Sequence, residues 1–290
     1  MDRESHVIDF GFDGLRATSW PVVLGAVGLD AVFLGMAMMV ILPFFRSSFP
    51  VSRLTGGWIQ PTLLFSLARY ALVMVGVAML LGGLGRRDMG LHWDKLKSGA
   101  LVVFGLWIAM QLIGVLPGLL TTGRVEISPI WSPDKLTLIA GELVAQFLGN
   151  AFAEEVIFRG FLLTQVYLLL VGRISGRRDR IAAAILISQL IFSLSHIPQR
   201  IVSGYGSMGL LVNLVKLWVM GILFAVLYVR TGNIFIAIGV HALVNAPATI
   251  LAMPSQAVAV LLPVALSVVL IVLWRPLTGW QDRMGAAQHV

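Results

Sequence analysis

The sequence predicts an all-α fold: a polytopic membrane helix bundle of about eight transmembrane helices. Three observations predict it. Hydrophobic residues fill 58% of the 290 positions. Charged residues fill only 12%, roughly half of the ~25% usual in soluble domains. Mean hydropathy is +0.91. A soluble domain of this length cannot hide so much apolar surface. Disorder, collagen and a coiled coil are excluded by the same composition.

The apolar runs follow one another at the length a bilayer requires, ~20 residues each for about 30 Å of hydrocarbon. The first covers 19–42 and is expected to end at Pro43. The second and third cover 59–82 and 98–120. The fourth begins near Leu136 and stays apolar to about Val171. The fifth, 180–197, is stopped by Pro198; the sixth covers 208–229, the seventh 233–251 and the eighth 255–274. The fourth run is too long for one crossing, since its 35 residues make roughly 50 Å of helix. Either it breaks near Gly149 or its C-terminal end projects from the membrane. No repeat, low-complexity stretch or long linker divides the chain, so 1–290 reads as a single transmembrane domain.

Eight crossings put both termini on one side. That side carries 13 Lys and Arg residues, against 5 in the opposite loops. The positive-inside rule then makes both termini cytoplasmic, with short loops that suit a prokaryotic plasma membrane. The rule also accounts for the net charge of +7 without nucleic acid. The first 18 residues are polar and mixed in charge, and carry no cleavable signal peptide. Cysteine is absent, which excludes disulfides, thiolate metal sites and a cysteine nucleophile.

Charge is expensive in hydrocarbon, about 2.5–3.5 kcal/mol per group on insertion scales, so each buried ion asks for a partner or a role. Asp30 and Arg69 fall near mid-depth of the first two spans and suit a structural pair between neighbouring helices. Asn213 and Lys216 sit near one end of the sixth span, where a lysine can snorkel. In the fourth span Glu142, Gln146, Asn150 and Glu154 recur every fourth residue and form one stripe. Glu155 and Arg159 follow at the favourable i, i+4 spacing, which leaves Glu154 without a local partner. His196 closes the fifth span, and His241 and Asn245 share a face of the seventh. Two Glu, two His, an Arg and an Asn on three otherwise aliphatic spans form a set that acid–base hydrolysis or metal binding would use. Depth counting makes His196 and Glu154 level with His241 only if the ends of the fourth and fifth spans project together by ~10–15 Å.

These residues carry a resemblance. EEVIFR (154–159) matches an EExxxR motif, FSLSH (192–196) an FxxxH motif and HALVN (241–245) an HxxxN motif, in that order. Together they resemble the CPBP family of intramembrane proteases, which includes type II CAAX prenyl proteases (Rce1-like) and bacteriocin-processing, or Abi, membrane proteases. The LGRRDMGLHW stretch (84–93) is similar to that family's lead-in. The resemblance implies an Rce1-like bundle with a CPBP/Abi catalytic core over 137–250, opening toward the cytoplasm. It implies that Glu154 activates water with help from His196. His241 and Asn245 would stabilise the oxyanion, while Glu155 and Arg159 orient the site or hold the C-terminal side of the substrate. The implied substrate is a peptide or membrane protein, prenylated or a bacteriocin precursor, met among membrane lipids. Metal dependence stays open: no cofactor is certain, and zinc, if used, would take Glu154, His196 and His241. HExxH, GxGD and GxSxG are absent, and GYGSMG (204–209) has the wrong spacing for a serine elbow. An ion-coupled transporter and a non-catalytic immunity or scaffold protein of the same fold are the competing readings.

Overall fold

The computed structural model describes residues 14–47, 50–246 and 249–287. The terminal residues on which the cytoplasmic reading partly rests, 1–13 and 288–290, lie outside that range. Among the described residues seven helices are long and apolar enough to cross a membrane, and one shorter apolar helix lies between the last two of them. They are α1 (Trp20–Phe45), α2 (Pro61–Leu81), α3 (Trp93–Thr121), α4 (Pro133–Leu169), α5 (Arg177–Val202), α6 (Ser207–Thr231), α7 (Ile234–Asn245) and α8 (Gln256–Trp274). The chain is an integral, multi-pass membrane protein.

Three boundaries depart from the sequence expectation: Pro43, Pro198, which α5 passes before it ends at Val202, and the end of α7. Pro43 does not end α1, which continues past it. A wide i→i+5 turn at Ala37–Ile41 precedes the proline and loosens the backbone where the ring would meet the previous turn. Nor does α4 break at Gly149, so of the two alternatives the unbroken helix holds. Instead Gly149 lets α2 approach, since a Cβ there would lie 3.2 Å from Leu63 Cα.

The largest departure is α7. A helix was expected over 233–251, yet it stops at Asn245 after 12 residues, about 18 Å. Its start is well defined, because the Asn233 side chain accepts from Phe235 N at 3.0 Å. Its stop follows from Pro247, which has no N–H and disfavours helical ψ in the preceding residue. Ala246 accordingly adopts φ −136°, ψ 78°. From Thr249 the chain pairs with the loop after α3: Ser128 N donates to Ile250 O at 2.8 Å and Ala252 N to Glu126 O at 2.9 Å. Gln111 of α3 accepts from both Ile250 N and Leu251 N. Non-helical backbone in a membrane protein survives only where such partners satisfy it. The seventh apolar run is thus helical only as far as Asn245.

Residues 234–243 of α7 are all buried, as an apolar-all-round helix must be, with α3, α4, α6 and α8 packed about it. Close approach needs glycine at two places. A Cβ on Gly239 would overlap the Val103 side chain of α3, and one on Gly160 of α4 would overlap the Met89 carbonyl oxygen. Gly160 also abuts Ile234, so it is level with the start of α7. Beyond it α4 runs nine more residues, ~14 Å, before the turn into α5. The α4–α5 hairpin therefore extends past the level where α7 begins, the offset that depth counting required.

The loop that carries Met89 is pinned by Asp88. Its carboxylate accepts from Arg16 N (3.0 Å), Arg16 Nε (3.1 Å) and Gly85 N (2.7 Å). Burial alone would raise the Asp88 pKa. The two backbone donors and the Arg16 guanidinium outweigh it and hold the group below the usual carboxylate range.

Two outcomes follow from this packing. Gly160→Ala should lower stability in detergent by about 1–3 kcal/mol through overpacking. Gly105→Ala, in open space on α3, should leave it unchanged or slightly raised; thermal unfolding of both variants checks this. Asp88→Asn should cost about 1 kcal/mol at neutral pH. Because the folded pKa is depressed, that stabilisation is complete above the unfolded value and lost as pH falls through the folded one. The gap between variant and wild type should therefore close in acid, and unfolding curves across pH read it directly.

Candidate functional site

The site forms where α2, α4, α5 and α7 meet. Ala151–Glu155, one α-helical turn of α4, is flanked by wide i→i+5 turns at Gln146–Asn150 and Val156–Leu163. In a regular α-helix a stripe of every fourth residue drifts by about 40° per step. The wider turn winds less per residue and takes back that drift. Gln146, Asn150 and Glu154 consequently line one cavity of about 720 Å³, whereas Glu142 lines a separate pocket with Lys135. His196, His241 and Asn245 line the same cavity as Glu154.

Glu154 is the meeting point. Its Oε1 lies 3.6 Å from Arg69 Nη1 and 4.0 Å from His196 Nε2, and its Oε2 lies 3.7 Å from His241 Nε2. Both imidazoles are oriented from behind. His196 Nδ1 lies 2.8 Å from Phe192 O, and His241 Nδ1 lies 2.7 Å from Glu155 Oε1. The Phe192 carbonyl can only accept, so His196 Nδ1 donates to it, and the Nε2 atoms of both imidazoles face Glu154.

Glu155 and Arg159 form the expected i, i+4 pair at 3.0 Å, both fully buried. The Arg159 guanidinium lies 4.2 Å from the Phe192 ring centroid and 5.5 Å from that of Phe224. Phe224 also stacks on His241, with centroids 4.7 Å apart. Arg159 is walled off by these rings and does not line the cavity, so of its two implied roles the geometry suits orientation rather than contact with substrate. Asn245 is exposed at the end of α7, where its Nδ2 donates to Gln146 Oε1 at 3.1 Å. It reaches the cavity but not Glu154.

Two features had weaker signals in the sequence. Asp30 and Arg69 do pair, bidentately at 2.6 and 2.9 Å, but Arg69 also reaches Glu154. Their charge in apolar spans was the visible clue. Phe224 belongs to no motif, and nothing in the sequence singled it out. Lys216 is exposed on α6, as a snorkelling lysine would be, and lines no part of this cavity.

Among the described residues no three His, Asp or Glu side chains are arranged to hold a metal ion. The zinc set expected from Glu154, His196 and His241 does not fit as it stands. The oxygen nearest His196 also faces the Arg69 guanidinium, whose positive charge opposes a cation there. A water fits better. Atoms 4.0 Å apart can share one molecule at about 2.8 Å from each, and a carboxylate beside an imidazole can take its proton.

Residues 136–247 match the family model for type II CAAX prenyl endopeptidases, described as Rce1-like. That stretch of the chain is similar to an Rce1-like domain. That domain begins in the first turns of α4 and ends just after α7, so it contains all three sequence motifs and the side chains just described, apart from Arg69 and Asp30. No curated protein and no solved structure matches the chain. The Rce1-like family is a protease family.

The Glu155 pair should matter for stability as well as chemistry. Glu155→Gln leaves Arg159 buried and uncompensated, at a cost of about 3–5 kcal/mol. Asn245→Ala removes an exposed side chain and should cost less than 1 kcal/mol. Thermal unfolding of the two variants side by side measures both.

Proposed function

We propose that the protein is an intramembrane endopeptidase that uses Glu154 as general base on a water molecule. The observation that carries this reading is the convergence of two Nε2 atoms on one carboxylate inside a cavity large enough for a peptide segment. In the first step the water oxygen bonds to the substrate carbonyl carbon while its proton passes to Glu154. His196, fixed by Phe192 O, positions that water. Charge then develops on the carbonyl oxygen. His241 can donate to it when its Nε2 is protonated, an imidazolium that Glu155 would stabilise from behind. Asn245, released from Gln146, supplies a second, non-ionising donor. In the second step the C–N bond breaks and the proton held by Glu154 goes to the leaving amine. Glu155 and Arg159 orient His241 and do not meet the substrate.

The family likeness and the membrane setting support a substrate class. A peptide anchored in the bilayer, either a lipidated C-terminus or a membrane-borne precursor, would bring its scissile bond to this depth. The basic loops at 85–97 and 172–180 favour a cytoplasmic position for the end of the bundle that holds the Asp88 loop. No metal enters the scheme.

The test is cleavage of quenched lipidated and unlipidated peptides by the protein in nanodiscs. Glu154→Gln and His196→Ala should each lower kcat by on the order of 10²–10⁴, with unfolding temperatures near wild type. Wild-type activity should survive a chelator. Loss with chelator and recovery with zinc would instead make Glu154 and the histidines metal ligands.

A further inference from the structure

The buried pair Asp30–Arg69 lies outside the Rce1-like domain and outside every sequence motif. Both side chains are almost fully buried, at 2% and 1% exposure. The pair spans α1 and α2, and Asp30 occupies two of the guanidinium nitrogens, Nε and Nη2. The third, Nη1, makes no hydrogen bond and lies 3.6 Å from Glu154 Oε1. The guanidinium carbon also lies 5.6 Å from the Phe158 ring centroid, so an aromatic face backs it.

Stability alone does not account for such a pair. A buried ion pair can usually be replaced by apolar side chains of similar volume at little or no cost, because desolvation consumes most of the attraction. What an apolar pair would not supply is a permanent positive charge beside Glu154. The other groups near that carboxylate, His196 and His241, are imidazoles rather than fixed cations, and Arg159 is engaged by Glu155. Arginine does not lose its charge, and its planar fork can hold one carboxylate bidentately while a remaining N–H faces another.

We infer that Arg69 is a positioning residue for the reaction. Held by Asp30, it draws Glu154 Oε1 toward α2 and keeps the carboxylate turned so that His196 faces Oε1 and His241 faces Oε2. Asp30 prevents the guanidinium from collapsing fully onto Glu154 and blocking it. The pair thereby couples α1 and α2, which the domain match does not include, to the chemistry on α4, α5 and α7. This inference rests on the reading of Glu154 as the base.

The experiment compares three variants with wild type in nanodiscs, with kcat, KM and unfolding temperature measured for each. Asp30→Leu with Arg69→Met replaces the pair by apolar side chains. It should fold, keep KM within about twofold and lower kcat at least tenfold. Asp30→Arg with Arg69→Asp keeps an ion pair between α1 and α2 but turns a negative charge toward Glu154. It should lose still more activity. Arg69→Lys keeps the charge without the fork and should fall between wild type and the apolar variant. Wild-type kcat in the apolar variant, or, should it not fold, in both other variants, would overturn the inference and leave the pair structural. Glu154→Gln runs in parallel. If that variant still cleaves, the Glu154 reading itself fails, whatever the Arg69 variants do.

Discussion

Two adjacent carboxylates inside an apolar bundle are the constraint on which the rest depends. Glu154 and Glu155 point in different directions around α4, and neither can be buried without partners. Glu155 takes Arg159 from its own helix and His241 from α7. Glu154 takes no local partner, so the bundle must bring it Arg69 from α2, His196 from α5 and His241 from α7. The fold can be read as the packing that satisfies this demand. It accounts for α4 running unbroken through the site, for α7 lying at the centre, and for two glycines, 160 and 239, admitting backbone and side chain at close range.

The two carboxylates end in unlike surroundings. Glu155 is sealed behind Phe192 and Phe224 and acts, in the proposed reading, through His241. Glu154 lines the cavity and is met only by longer contacts. A sealed carboxylate orients, while an open one can receive a proton. The same helix supplies both because consecutive residues face about 100° apart.

Much of this was legible in the sequence, for physical reasons. Hydropathy marks crossings because each must be apolar over a fixed length, and all eight apolar runs correspond to helices. The ionisable residues stood out because hydrocarbon tolerates few of them, and three short motifs placed them in a family before any geometry was known. What sequence could not supply was context. Pro43 reads as a stop, yet a wide turn at Ala37–Ile41 accommodates it. Gly149 reads as a break, yet it serves a helix contact. The seventh run reads as helix to 251, yet α7 stops at Asn245, ahead of Pro247, and the backbone at 249–251 is held by Gln111 and Trp131. Asp30 and Arg69 were visible as charges and as a pair. Their reach to Glu154 depends on how α1 and α2 lean against α4, which no spacing rule encodes. Phe224 carried no signal because a core aromatic and one that walls off a site look alike in sequence.

The central claim is that Glu154 activates water rather than attacking the substrate itself. One turnover in water enriched in oxygen-18, with the enzyme in excess over peptide, separates the two directly. Direct attack by water places one heavy oxygen in the new C-terminal carboxylate of the product and none in the enzyme. Attack by Glu154 would pass through an anhydride, and water adding to its Glu154 carbonyl leaves label in the Glu154 carboxylate. Because water adding to its peptide carbonyl would label the product alone, hydroxylamine is included to capture the anhydride as a Glu154 hydroxamate, which direct attack by water never forms. Mass spectrometry of the product and of the peptide containing residues 151–159 reads both. The account predicts label in the product alone and no hydroxamate; label or a hydroxamate at Glu154 would contradict it.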